Sequence, residues 1–99
     1  MNASIAIQVL PHVQEQEATR RIVDAAISHL RGSGLRCVVG PFETTLEGDL
    51  DQLMDLVKDC QRICIQAGAP SVMSYVKISY RPSGVWTIDD KTGKYREKE

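Results

Sequence analysis

The apolar patterning of the chain predicts an α+β domain, a four-stranded antiparallel sheet with two helices packed on one of its faces. Three observations predict it. Residues 15–30 and 49–67 carry apolar side chains at helical spacing, whereas four shorter windows alternate with a period of two or are β-branched. The resulting order is strand, helix, strand, strand, helix, strand, so each half repeats one unit. Only Gly40-Pro41-Phe42 separates the middle strands, which makes them an antiparallel hairpin.

The first strand covers residues 3–10. Ile5, Ile7 and Val9 give it one apolar face, Ala6, Gln8 and Leu10 a mixed one, and Pro11 ends it because proline has no N–H for a ladder. The first helix, residues 15–30, sets Ala18, Ile22, Ala25, Ala26, Ile27 and Leu30 inward. Glu17 and Arg21 stand at i, i+4 in the favourable order. Gly32-Ser33-Gly34 stops the helix. Residues 35–39 form a short second strand and residues 43–47 the third.

The stretch Thr44-Thr45-Leu46-Glu47-Gly48-Asp49-Leu50-Asp51 runs from that strand straight into the second helix. Gly48 is expected to turn the backbone, and Asp49 to accept from the free N–H groups of the first helical turn. Glu47 is the residue these needs do not explain. In residues 49–67 the apolar stripe is Leu50, Leu53, Val57, Cys60, Cys64 and Ala67, with Leu56 and Ile63 off it. Gly68-Ala69-Pro70 closes the helix. The fourth strand, residues 72–80, alternates Val72, Val76 and Ile78 against Met73, Tyr75, Lys77 and Ser79. Residues 81–99 are a polar extension of this single domain. Val85-Trp86-Thr87-Ile88 is an extra strand or a docking segment, and residues 91–99 read as a solvated tail.

Right-handed crossovers place both helices on one face, giving the ferredoxin-like split βαβ arrangement with strand order 4-1-3-2. The other face stays bare, and a second subunit is expected to cover it. A net charge of −1 without a Lys/Arg cluster gives no pull towards nucleic acid or membrane. No apolar run approaches the ~20 residues that span a bilayer. The N-terminus has no basic leader, and the three cysteines form no CxxC pair, which points to reduced thiols and a cytoplasmic protein.

By parity the open face carries Ala6, Gln8, Leu10, Thr45, Glu47, Met73, Tyr75, Lys77 and Ser79. Gln8 is expected between Glu47 and Lys77, either as cross-strand pairing at a subunit contact or as the wall of a small-molecule pocket. Cys37, Cys60 and Cys64 read as packing residues, and His12 and His29 as surface histidines. No phosphate loop, nucleophile with a base, or second carboxylate supports an enzyme.

Four stretches carry a resemblance that covers residues 5–91: Val9-Leu10-Pro11; Gly34-Leu35 through Gly40-Pro41-Phe42 to Thr44-Thr45-Leu46-Glu47-Gly48-Asp49; Val57-Lys58 with Cys60 and Gly68-Ala69-Pro70; and Val76-Lys77-Ile78 with Arg81 and Asp90-Lys91. In these the chain resembles the small thiamine-binding proteins, a conserved family long of unknown function (the YkoF-related, MTH-type group). It departs from that pattern at His12-Val13, where a glycine is usual, at Gln61, where a histidine is usual, and at Tyr75, which is larger than the usual hydroxyl residue. The resemblance implies a non-catalytic cytoplasmic protein without a required cofactor, with thiamine or a related aminopyrimidine or cationic heteroaromatic as its ligand. It also implies dimers or tetramers formed through sheet faces or edges. Candidate ligand residues are Phe42 and Tyr75 against a ring, Glu47 facing a thiazolium, Thr44, Thr45 and Ser74 as hydrogen-bonding groups, and Lys77. The alternative is a structural or regulatory homo-oligomeric module without thiamine.

Overall fold

The computed structural model describes residues 1–96. Strand β1 (Ala3–Pro11) is followed by helix α1 (Gln16–Arg31), strand β2 (Arg36–Val39), strand β3 (Thr44–Gly48), helix α2 (Leu50–Gln66), strand β4 (Val72–Tyr80) and a short helix α3 (Ile88–Thr92). The antiparallel sheet has the order β2-β3-β1-β4. This is the ferredoxin-like arrangement expected from the sequence, with α1 and α2 on one face.

Register explains the core. Ile5 lies opposite Leu46 on one side and Ile78 on the other, and Cys37 lies opposite Leu46. These residues therefore point one way, towards the helices. Ile5, Ile7 and Leu46 are buried there with Ile22, Ala26 and Leu30 of α1 and Leu53, Leu56, Cys60 and Cys64 of α2. Fully burying a leucine or isoleucine side chain stabilises the fold by roughly 1.5–3 kcal/mol. Leu56 corrects the narrow stripe expected for α2. It lies three residues after Leu53 and four before Cys60, which are neighbouring positions on one helix face. Burial pushes the Cys60 thiol up to about 12, and the adjacent Cys64 thiol and Asp59 carboxylate push the same way. Its thiolate is strongly disfavoured, consistent with a packing residue.

Four local expectations are corrected. Gly48 has no positive φ. A Cβ there would sit 3.0 Å from Leu35 Cδ1, tighter than ordinary contact, so the Leu35 side chain would have to give by a few tenths of an ångström. The Asp49 side chain makes no capping hydrogen bond. The Leu50 N–H donates instead to Asn2 Oδ1 at 2.9 Å, which ties the N-terminus to the start of α2. Arg21 does not pair with Glu17. Its guanidinium donates to the carbonyl of Ala67 at 2.7 Å and satisfies the C-terminal end of α2. Pro11 belongs to β1 as its last residue, opposite Val72.

The extension is also more ordered than a solvated tail. Residues 85–87 are not a strand, whereas residues 88–92 form α3 and residues 93–95 a 3₁₀ turn. Thr87 and Asp90 form a reciprocal capping box at the start of α3. Residues 97–99, included in the expected tail, lie outside the described residues.

Candidate ligand site on the open sheet face

On the face away from α1 and α2, the register arranges side chains in rows across the sheet. One row is Val38, Thr45, Ala6 and Lys77; the next is Arg36, Glu47, Ser4 and Ser79. The central strand contributes only Ala6 and Ser4 to these rows. Both are small, so the flanking residues stand above them. A hollow of about 270 Å³ results, lined by Ser4, Ala6, Glu43, Thr45, Lys77 and Ser79 on the sheet side, with Lys91 of α3 at its rim. Hydroxyl groups, a carboxylate and ammonium groups converge on an alanine floor, as in sites that orient a small polar molecule.

The ion pairing differs from the expected set. Lys77 Nζ lies 2.9 and 3.0 Å from the two carboxylate oxygens of Glu43, not near Glu47. Gln8 does not lie between Glu47 and Lys77. It pairs with Tyr75, two residues further along β1 than the Ala6–Lys77 pair.

Glu47 instead anchors α3. Its carboxylate accepts a hydrogen bond from the Ile88 N–H at 2.7 Å. Ile88 is buried, and beside it Arg36 donates to Asp89 at 3.0 Å. Asp89 also accepts from Arg96. The hydrogen bonds from Arg36 and Arg96 hold the Asp89 carboxyl below its ordinary value. The extension thus covers the β2–β3 side of the open face, and the carboxylate that local backbone needs left unexplained has a structural partner. Replacing Glu47 by alanine is expected to destabilise α3 by about 1–3 kcal/mol, because a charged acceptor is lost. Amide hydrogen exchange over residues 88–92 checks this: faster exchange there with unchanged protection in β1 is the expected result.

The other expected ligand residues are dispersed. Thr45 and Lys77 line the hollow. Thr44 is buried on the helix side, and Ser74 donates to Gln61 Oε1 at 2.7 Å, also on that side. Tyr75 lies on the open face one row beyond Lys77, 60% exposed, and Phe42 is 81% exposed in the β2–β3 turn. Ser4 and Arg36 were accessible to the same parity argument that placed Ala6 and Glu47. Nothing in the sequence pattern brings Lys91 back to β1.

A larger hollow, about 750 Å³, follows the free edge of β2 and is lined by Ile27, Arg31, Cys37, Val39 and Arg96 among others. Arg36 and Arg96 at its wall are paired with Asp89. It is an open furrow along an edge strand, and Asp24 and Arg31 on its α1 wall form no ion pair among the described residues. The open-face hollow is preferred because its hydroxyl, carboxylate and ammonium groups stand around one small-residue floor. Among the described residues no cluster of three or more metal-ligating side chains occurs, and no helix is long and apolar enough to cross a membrane.

The fold and this hollow define a class: a ferredoxin-like α+β domain with a small polar site on its bare sheet face. Within that class, the chain belongs to the family described as Thiamine-binding protein, which it matches over residues 5–96. It is 44% identical over 93 residues to a UPF0045 protein of Clostridium perfringens, covering 94% of this chain and 96% of that one. Among solved structures, a domain of unknown function from Bacillus cereus superposes with a TM-score of 0.89 at 43% identity, covering 98% of this chain and 92% of that one. A Thermotoga maritima protein, provisionally described as a thiamine biosynthesis/salvage protein, superposes with a TM-score of 0.86 at 33% identity, covering 97% and 100%. None of these descriptions names a catalysed reaction.

Proposed function

We propose that the protein binds thiamine, or a related aminopyrimidine or cationic heteroaromatic, in the open-face hollow without transforming it. The observation that carries this reading is the convergence of Thr45, Glu43, Lys77, Ser4 and Ser79 on the Ala6 floor, in a chain of a thiamine-binding family. The hydroxyls suit an aminopyrimidine, which offers both donors and acceptors. Glu43, shared with Lys77, is the carboxylate that lines the hollow and would face a cationic ring; Glu47 is occupied by α3.

The protein acts as a homo-oligomer in this reading. Leu10 and Met73 face each other in register on the uncovered end of the open face, with Tyr75 in the adjoining row, and all three are exposed. An apolar patch of this kind on a flat sheet favours a second copy of the chain. The same observation supports an assembly module without a ligand as the second reading. The three free cysteines suit the cytoplasm.

Calorimetric titration of the purified protein with thiamine, with light scattering for the subunit count, separates the two. Saturable binding at one site per chain or per pair of chains is expected. Ligand at 100 times its Kd raises stability by about 2.7 kcal/mol, which is visible as a higher Tm. An intact oligomer with no heat and no shift in Tm overturns the thiamine reading and leaves the assembly module.

A further inference from the structure

We infer that the ligand of the open-face site carries a phosphate ester, held where Lys91 and Arg81 meet Ser79. This rests on the proposed binding of a thiamine-like molecule and adds its anionic group.

A second hollow of about 190 Å³ adjoins the first. It is lined by Ser79, Arg81, Trp86 and Lys91, and Ser79 and Lys91 belong to both. The second hollow, too small to be a site by itself, extends the first and gives room for an additional group on a ligand seated there. The charges differ between the two hollows. In the first, Lys77 is neutralised by Glu43 at 2.9 Å. The second is lined by no carboxylate; of the acidic residues in and beside α3, Asp89 pairs with Arg36 and Arg96, while Glu47 and Asp90 keep their charge and accept from the Ile88 and Thr87 N–H groups. Arg81 and Lys91 form no ion pair among the described residues. The junction therefore presents two cations without an ion-pair partner among the described residues, and a hydroxyl. A cation alone would be repelled there, whereas a phosphate monoester meets an ammonium, a guanidinium and an O–H donor, the groups that bind phosphate with charge-assisted hydrogen bonds.

The test is calorimetric titration of the full chain with thiamine, thiamine monophosphate and inorganic phosphate, repeated with the Lys91→Met/Arg81→Gln double variant. Both residues are exposed, so the variant is expected to fold, with thermal unfolding as the control. The wild-type protein is expected to bind thiamine monophosphate roughly tenfold more tightly than thiamine, about the effect of one charge-assisted hydrogen bond. In the variant that ratio falls to near one, and in the wild type it shrinks as salt is raised. Equal wild-type affinities overturn the inference while leaving thiamine binding intact. So does a preference that survives in the variant. If thiamine does not bind but inorganic phosphate binds and depends on Lys91 and Arg81, the phosphate subsite stands and the thiamine reading fails.

Discussion

Replacing Ala6 by phenylalanine is expected to weaken thiamine binding at least ~100-fold, about 2.7 kcal/mol, while the domain stays folded. Ala6 is the floor of the hollow because β1 is central and both neighbours in its row, Thr45 and Lys77, are larger. A benzyl group there fills the space the ring of the ligand would take. The substitution faces away from α1 and α2, so it does not overpack the core between Ile5 and Ile7. Calorimetry supplies the affinity, and thermal unfolding without ligand supplies the control. Unchanged affinity in a folded Ala6→Phe variant removes the hollow from consideration.

Leu53→Ala is expected to lower the unfolding free energy by about 2–5 kcal/mol. Leu53 is fully buried on α2, in the cluster with Ile5, Ile22, Leu46 and Cys60. Removing its isobutyl group forfeits the transfer free energy and leaves a cavity that a rigid strand and two helices close only in part. For a domain of 99 residues the loss is a large share of a total of roughly 5–15 kcal/mol. Urea unfolding followed by circular dichroism measures it. A change below ~1 kcal/mol would mean that α2 is not seated as described, since deletion of a fully buried leucine side chain has no cheaper outcome.

The sheet and its two covering helices were legible in the sequence because each obeys one strong period. Alternation in residues 3–10 and 72–80 fixes which face each residue takes, and the observed register keeps every one of those assignments. What the pattern does not contain is the sliding position of one strand against the next. Parity placed Gln8 on the open face correctly, yet a shift of two residues in the β1–β4 register, which leaves parity unchanged, moves it from Lys77 to Tyr75. Lys77 is likewise correctly placed on that face but pairs with Glu43. The role of Glu47 was hidden for a different reason. Its partner lies 41 residues later, in an extension with no apolar period beyond the single buried Ile88. Short polar helices held by individual hydrogen bonds leave little trace in composition or spacing. The turn expected at Gly48 is not of the positive-φ kind, and what stands close to that glycine is the Leu35 side chain, a contact no local pattern reveals.

The central claim is that the ligand occupies the open face between β3, β1 and β4. It is tested most directly by recording amide nitrogen–proton spectra of isotope-labelled protein during titration with thiamine. Saturating shifts concentrated at Ser4, Ala6, Thr45, Lys77 and Ser79 are the expected result. Shifts confined to Ile27, Arg31, Cys37 and Val39 would place the ligand in the furrow along β2 and contradict the claim.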